Sequence, residues 1–577
     1  MTFKAFLKRH GFWPLLLLLL PGWLSAQQVQ LEFEGRFPEL QDNAMAFIGT
    51  VEGRSADNLR RYARTAVQRT EEALRALGYY RPDIRWRVEE GEPARLILTI
   101  DPGEPVRIRN VEVRVQGPAA SDRDFLPIDT RRIAPGSVLN HGYYDSARQS
   151  IQNRALRLGY FDGRFLARRL TVDPGEGVAD IELIYESGQR YFLGDVTFEE
   201  GHGFELQLLE RFVRFERGTP YHADHVARLN SDLSNSGYFS QVIIDAPHTD
   251  AVDRVVPVRV ELRQRDPRSI AMGIGFSTDV GPRLRGTWTE HWINERGHRR
   301  GLESELSEPR QSVSGWYELP LDPPMTDALR LTSGYQREQI EDVESERLTL
   351  GQQWRHQMDS GWMRVLSMRW EGERFRIGDQ PSQKSSLLLP GIGFSKLQAD
   401  SPMDPSRGFR LQLDVVGGHR AALSEADILQ VVGVARGLYT LADRHRFLAR
   451  AQVGGIATNR FAKVPPSLRF FAGGDQSVRG YGYETLSPRE DGASVGGRFL
   501  LASSAEYQYA LSRSWRLAAF IDHGNAVDDP LDPLATGVGG GIRWVSPVGP
   551  LRLDIAKGLD EQFGGGWRLH FSMGPEL

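Results

Sequence analysis

The chain has 577 residues, a formal net charge of -4 and no cysteine. The nearly balanced charge argues against nucleic acid as a partner, because proteins that bind nucleic acid generally carry a basic surface. Without disulfides, a chain of this length must be stabilised by packing or by closed backbone hydrogen bonding.

Residues 1–26 predict a secretory signal peptide. Three basic residues (Lys4, Lys8 and Arg9) precede the apolar run Leu15–Leu20, and the small residue Ala26 precedes the expected cleavage point. The apolar run is too short for a helix that spans a membrane. A membrane anchor is the alternative interpretation. Because no cysteine follows Ala26, processing as a lipoprotein is not expected.

Residues 27–265 contain three copies of one sequence unit. The clearest marks are Gly78, Gly159 and Gly237, which are 81 and 78 residues apart and are each followed by tyrosine. Each glycine ends a helical pattern, where a left-handed residue is favoured, and two strand-like runs follow it. The units are predicted as β-α-α-β-β folds over residues 27–104, 105–188 and 189–265. A different three-copy α/β scaffold is the alternative.

The second copy shows the helical pattern most clearly. Ala147, Ile151, Ala155 and Leu158 form one apolar stripe, which predicts an amphipathic helix. Asp145 precedes the stripe and is a candidate for the residue that caps the helix N-terminus.

Residues 266–577 have a different sequence pattern. Apolar residues no longer recur at helical spacing, and instead they alternate with polar or small residues with a period of two. The run from Ile270 to Phe276 alternates large apolar residues with small ones, and similar runs continue to the last residues between turn-forming clusters. At roughly 20 residues per strand and turn, the segment accommodates about 16 strands. An even number of antiparallel strands can close a barrel that satisfies every backbone group in lipid. The segment therefore predicts a 16-stranded antiparallel transmembrane β-barrel, and a pair of soluble β-sandwiches is the alternative.

Three motifs in the barrel segment resemble those of the outer-membrane protein 85 superfamily of assembly and transport proteins. They are a "VRGY" tip, an aromatic-x-Asp-x-Gly strand in "FIDHG" and an acidic residue on the preceding strand in "SSAEYQY". The three N-terminal units likewise resemble polypeptide-transport-associated (POTRA) domains. The resemblance implies that the tip lies on a long loop folded back into the barrel lumen. The residues that carry the motifs are Val478, Arg479, Gly480, Tyr481, Glu506, Phe520, Asp522 and Gly524.

The arginine of the tip requires carboxylate partners if it lies in a partly dehydrated lumen. Our hypothesis is a latch in which Arg479 binds Asp522, with Glu506 as the second candidate. The alternation places Asp522 and Phe520 on one face of their strand, but it does not determine whether that face points inward. A solvated arginine on an extracellular loop is the alternative.

In a closed barrel the last strand must pair with the first, and this junction is called the seam below. The sequences of the two strands predict that their pairing is weak. Trp567, Leu569 and Phe571 form the apolar face of the last strand, and Pro575, which cannot donate to a ladder, follows it. The first strand contains Gly273 and Gly275, which weaken strand pairing. A weak seam suits lateral opening into lipid, whereas a frayed terminus is the simpler interpretation of the proline.

The sequence contains one apparent catalytic motif, which we do not interpret as an active site. The run Gly492–Gly496 matches G-x-S-x-G, but its flanks do not predict the strand, sharp turn and helix of an esterase nucleophile. No spacing typical of metal ligands and no phosphate-binding loop is present in the sequence. We therefore expect no enzymatic activity, no metal and no cofactor.

The number of repeats distinguishes groups within the superfamily. Three POTRA domains and a 16-stranded barrel resemble the TamA family, the outer-membrane subunits of translocation and assembly modules. This resemblance implies a location in the outer membrane of a Gram-negative bacterium and the insertion of β-barrel clients such as autotransporters. It also implies a TamB-like partner that is anchored in the inner membrane and docks on the POTRA region. A polypeptide secretion pore of the two-partner type is the alternative.

Overall fold

The structure, a computed structural model, describes residues 27–546 and 549–574. The predicted signal peptide and Pro575 lie outside these residues. The chain divides into two compact units, and the division runs through the third repeat. None of the helices among the described residues is long and apolar enough to cross a membrane.

The α-helices are α1 (Pro38–Ile48), α2 (Ala56–Ala76), α3 (His141–Leu158), α4 (Leu206–Glu210) and α5 (Ala223–Asn235). The strands of the repeats are β1 (Val29–Phe33), β2 (Asp83–Glu89), β3 (Arg95–Asp101), β4 (Arg107–Gln116), β5 (Arg164–Asp173), β6 (Val178–Glu186), β7 (Phe192–Phe198), β8 (Phe239–Asp245) and β9 (Val255–Gln264). The strands that follow are β10 (Arg268–Ser277), β11 (Gly281–Glu290), β12 (Arg299–Ser307), β13 (Arg310–Pro320), β14 (Asp327–Ile340), β15 (Val343–Gln357), β16 (Met363–Ile377), β17 (Gln383–Ala399), β18 (Arg407–Gly418), β19 (Ile428–Leu441), β20 (His445–Thr458), β21 (Arg489–Glu490), β22 (Ala493–Ser494), β23 (Phe499–Ala510), β24 (Trp515–Val527), β25 (Ala535–Ser546), β26 (Gly549–Gly558) and β27 (Trp567–Met573).

Each repeat builds a three-stranded sheet with the same strand order. The orders are β1-β3-β2, β4-β6-β5 and β7-β9-β8, so that the last strand of each unit is central and the preceding strand lies at an edge. The glycines at positions 78, 159 and 237 all have positive φ angles, of 94°, 81° and 79°. A residue with a side chain adopts this left-handed conformation only with strain, which explains why glycine ends each helical pattern.

The second repeat differs from the others in its first helix. In place of an α-helix it has two short 3-10 turns, at Pro118–Ser121 and Arg131–Ile133. Prolines recur through this segment, and each one lacks the N–H group that a continuous α-helix needs.

The second helix of that repeat, α3, begins at His141, four residues before the expected cap Asp145. Its N-terminus is capped by Asn140, whose side chain accepts a hydrogen bond from the backbone N–H of Gly142. The predicted apolar stripe of α3 is buried.

The barrel is a single antiparallel sheet of 16 strands, β10 to β20 followed by β23 to β27. This finding confirms the predicted number of strands. Exposure alternates along many of the strands, as β24 illustrates: Phe520 and Asp522 are buried, whereas Leu517 and Ile521 are 46% and 50% exposed. The alternation separates an inner face, which is largely polar and charged, from an apolar outer face.

Residues 459–498, which connect β20 to β23, fold back inside the barrel and are called the lid loop below. Val478 and Tyr481 of this loop are fully buried and pack in one apolar cluster with residues of the wall, including Leu389 of β17 and Ile428 of β19. The short strands β21 and β22 form a hairpin within the loop. The lid loop and the barrel wall therefore share one apolar core inside the lumen.

Candidate functional site in the barrel lumen

Arg479 lies at the centre of a buried charge network between the lid loop and the barrel wall. Its Nε donates to Asp522 Oδ2 at 2.7 Å, and its Nη2 donates to Asp522 Oδ1 at 2.9 Å. Its Nη1 donates to Glu506 Oε2 at 2.9 Å. The guanidinium carbon also lies 3.3 Å from the centre of the Phe520 ring. The structure therefore brings Arg479 together with both of its predicted partners, and it places the face shared by Asp522 and Phe520 toward the lumen.

The network also contains groups that sequence reasoning missed. Asp554 on β26 accepts a hydrogen bond from Arg479 Nη1 at 3.1 Å. Arg543 on β25 donates to Glu506 at 2.8 Å and to Asp554 at 2.5 Å. The three carboxylates therefore share two arginines whose side chains are 5% exposed or less.

A third arginine balances the charge of the cluster. Arg450 on β20 lies 3.6 Å from Asp522 and donates to the Ser477 carbonyl at 2.6 Å. Three guanidinium groups thus face three carboxylates. Buried ions are tolerated only when they are paired and hydrogen-bonded in this way.

The residues that follow Arg479 in the tip also make close contacts with the barrel wall. Gly480 has a φ of 93°, and a methyl group at this position would lie 2.4 Å from the backbone nitrogen of Gly558. The Tyr481 hydroxyl lies 3.0 Å from the Thr536 carbonyl and 3.1 Å from Asp560 Oδ2. The tip is therefore held by backbone approach and hydrogen bonding as well as by charge.

The strand motif around Asp522 supports the tip from the wall. Phe520 forms the surface under the Arg479 guanidinium. Gly524 faces the neighbouring strand so closely that a methyl group there would lie 2.2 Å from the Leu501 carbonyl oxygen. A side chain at this position would push apart the two strands that carry Glu506 and Asp522.

The seam between β10 and β27 is the only junction in the described wall without a strand ladder. β10 pairs with β11 from Arg268↔Glu290 to Ser277↔Gly281, but no register connects it to β27. Among the described residues, the hydrogen bonds across the junction join Thr278 N to Phe571 O at 3.1 Å and Phe571 N to Thr278 Oγ1 at 3.2 Å.

The predicted seam residues occupy this junction in different ways. Phe571 packs against Phe276, with ring centres 5.8 Å apart. Trp567 and Leu569 face outward and are 71% and 56% exposed. Gly273 and Gly275 lie on β10, where they pair with Arg285 and Arg283 of β11 rather than with the last strand. Pro575 lies outside the described residues.

The lid loop also binds both edges of the seam. Asp475 N donates to Asp279 Oδ2, in the turn after β10, at 2.6 Å. Gly480 N donates to His570 Nε2, on β27, at 3.1 Å. The same loop that carries the latch therefore contacts the first and the last strand regions. Neither contact is visible in the sequence, because each depends on how the loop crosses the lumen.

Residues 298–576 match the model of the Omp85 superfamily domain, and residues 30–102 match the model of POTRA domain TamA domain 1. The chain is 25% identical over 423 residues to the outer membrane protein assembly factor BamA of Nitratidesulfovibrio vulgaris, which covers 69% of this chain and 53% of the relative. It is 21% identical over 498 residues to BamA of Neisseria meningitidis serogroup B, which covers 74% of this chain and 62% of the relative.

A solved structure has the same fold. The crystal structure of BamA from Haemophilus ducreyi lacking POTRA domains 1-3 superposes with a TM-score of 0.67 at 16% identity. The superposition covers 81% of this chain and 99% of that one. This chain spans 53% and 62% of the length of the two curated BamA relatives.

A POTRA region followed by a 16-stranded barrel with an inward-folded loop defines an outer-membrane β-barrel protein whose POTRA domains lie in the periplasm. The chain belongs to the Omp85 superfamily.

Proposed function

We propose that this protein inserts or assembles β-barrel clients, autotransporters among them, in the outer membrane. The observation that carries the proposal is the junction between β10 and β27, where two hydrogen bonds at Thr278 and Phe571 replace a ladder. The relatives named as assembly factors support the same class of activity.

The physics of the seam favours the addition of a strand. The backbone groups of β10 that face the seam lack the ladder partners that they have on the β11 side. An unsatisfied backbone group in hydrocarbon costs several kcal/mol. A client strand that pairs with this edge removes that cost, so client folding itself drives the reaction. We accordingly propose that the protein works without enzymatic activity and without a cofactor.

The charge network has a supporting role in this proposal. It anchors the lid loop to β23, β24 and β26 through Arg479. The loop in turn holds Asp279 and His570 on the two sides of the seam. The latch therefore keeps both edges in place until a client strand competes for them.

We further propose that the POTRA region docks a TamB-like protein that spans the periplasm. The match of residues 30–102 to a TamA-type POTRA domain supports this partner. Each repeat also has an edge strand (β2, β5 or β8) to which an extended segment can add by β-augmentation.

Reconstitution of the full chain in liposomes tests the proposed activity. An unfolded β-barrel client should become protease-resistant and heat-modifiable faster in these liposomes than in liposomes that contain an unrelated barrel. Equal rates would contradict the proposal. A stable open conductance in planar bilayers, together with translocation of the client into the liposome interior, would instead support the secretion pore.

The partner is tested separately. Chemical cross-linking in cells followed by purification of the full chain should recover a TamB-like protein, and an unrelated outer-membrane barrel purified in parallel should not recover it. Equal recovery with both proteins would contradict the proposed docking and would leave the insertion activity unaffected.

A further inference from the structure

A row of arginines crosses the inner face of the barrel. Arg410 on β18 is directly opposite Arg436 on β19, and Arg436 is directly opposite Arg450 on β20. Residues directly opposite each other in a sheet have Cβ atoms about 5 Å apart, and like charges in this arrangement repel. Arg450 is compensated by Asp522 and the Ser477 carbonyl.

The rest of the row has no such compensation. Among the described residues, neither Arg410 nor Arg436 has a carboxylate oxygen within 4.0 Å, and the same holds for Arg552 on β26. Arg552 is directly opposite another arginine, Arg543, and its Nε is buried without a hydrogen-bond partner.

Several other arginines of the inner face do have a carboxylate partner. Arg310 pairs with Glu338, Arg355 pairs with Glu318, and Arg516 pairs with Asp404. The barrel therefore pairs several of its lumenal arginines with carboxylates, but Arg410, Arg436 and Arg552, called the arginine cluster below, have no carboxylate within ion-pair distance.

The arginine cluster lines a lumenal cavity of about 550 Å³. The same cavity is lined by Phe276 and Ser277 of β10 and by Ser572 and Met573 of β27. Three carboxylates, Asp279, Glu305 and Asp475, also line it, and they are outnumbered by the arginines of the lining. It therefore extends from the arginine cluster to both edges of the seam, and a group that enters between the two strands would meet the cluster.

We propose that the arginine cluster is a binding site for a phosphate group. A phosphate ester presents several oxygens in different directions, so guanidinium groups from separate strands can bind it together. A planar carboxylate offers two oxygens, which one guanidinium already satisfies. The chemistry is shared by the headgroup of a phospholipid that enters through the seam and by a soluble phosphate ester. This site is independent of the proposed insertion activity, which depends on the seam.

Binding to the purified full chain in detergent tests the site with three probes. The probes are phosphatidylglycerol, glycerol phosphate and diacylglycerol. Arg436→Gln combined with Arg552→Gln removes two charges of the cluster. The matched control, Arg164→Gln combined with Arg168→Gln, removes two charges from exposed positions of the second repeat.

The wild-type protein and the control should bind phosphatidylglycerol in native mass spectrometry and melt at a higher temperature when it is present. The cluster variant should bind it at least about tenfold more weakly, since it loses charge-assisted hydrogen bonds. Comparable binding of glycerol phosphate identifies a soluble ester as the ligand, whereas binding of the lipid alone identifies the headgroup. Both results support the site.

Two results would overturn the proposal: undiminished binding by the cluster variant, or equal binding of diacylglycerol, which lacks phosphate. The folding of the cluster variant is checked by its melting temperature in the absence of any probe. This temperature should equal or exceed that of the wild-type protein, because the variant relieves repulsion between like charges. If the variant melts lower, Arg410→Gln, at an exposed position of the cluster, replaces it in the same comparison. Unchanged binding by that variant would equally overturn the proposal.

Discussion

Replacement of Arg479 by alanine should release the lid loop from the barrel wall. Glu506 and Asp554 would keep Arg543 as a partner, at 2.8 and 2.5 Å. The loss therefore falls on Asp522, which is fully buried. Its one remaining charged partner would be Arg450 at 3.6 Å, and it would keep the hydrogen bond from the backbone N–H of residue 479 at 3.1 Å. Breaking one side of a buried ion pair costs about 3–5 kcal/mol, so we expect a decrease of this size in the free energy of unfolding.

A double-mutant cycle separates the pair from the effects of each residue. R479A and D522A together should cost less than the sum of the two single changes, with a coupling energy of about 2–3 kcal/mol. A charge swap is less informative, because an aspartate at position 479 would face Glu506 and Asp554. The assay is urea unfolding in detergent, followed by tryptophan fluorescence and by heat-modifiability on gels.

The control cycle combines R479A with D404A. Asp404 binds Arg446 and Arg516 and shares no partner with Arg479, so the two changes should add within about 0.5 kcal/mol. A coupling energy below about 0.5 kcal/mol for Arg479 and Asp522 would refute a direct, stabilising latch.

Three further predictions concern the tip, the first strand and the repeats. Gly480→Ala should destabilise the barrel more than Gly492→Ala in urea unfolding, since both glycines have positive φ but only the first is crowded; equal effects would contradict the tight docking of the tip. Replacement of Gly273 and Gly275 by valine should raise the melting temperature and slow client insertion in liposomes, because valine favours strand pairing; faster insertion would contradict a role for a weak first strand. Burial lowers the pKa of the His141 imidazole below 6.5, so protonation opposes folding, and stability is lost as the pH falls from 6.5 through the folded-state pKa. Over that fall in pH, hydrogen exchange of α3 should become faster in the wild-type protein than in the H141N variant, whose side chain cannot be protonated. An equal response of both proteins would contradict the burial of a neutral imidazole.

Features set by local periodicity could be predicted from the sequence. Alternation along residues 266–577 indicated about 16 strands because each strand repeats its exposure every two residues, whatever its neighbours are. The positive φ of Gly78, Gly159 and Gly237 followed from their position at the ends of helical patterns. The cap of α3 was placed wrongly at Asp145 because Asn140 starts the helix before the apolar stripe begins.

Features that depend on tertiary placement could not be predicted. The inward face of β24 was ambiguous because Phe520 shares it with Asp522, and an aromatic residue is equally typical of a lipid-facing position. Asp554 and Arg543 join the network through strands β25 and β26, so their contacts depend on the barrel register. The available signal for both was a charged residue between two large apolar residues of an alternating strand, and Arg552 gives the same signal.

Covalent closure of the seam tests the proposed lateral opening most directly. The chain has no native cysteine, so T278C with F571C places a single disulfide at the junction, and A435C with A451C, which are paired within the wall, provides the control. Oxidation of the seam pair should stop client insertion in liposomes, reduction should restore it, and the control pair should insert clients at an unchanged rate under both conditions. Insertion at the full rate with the seam cross-linked would contradict the proposal that clients enter the membrane between β10 and β27.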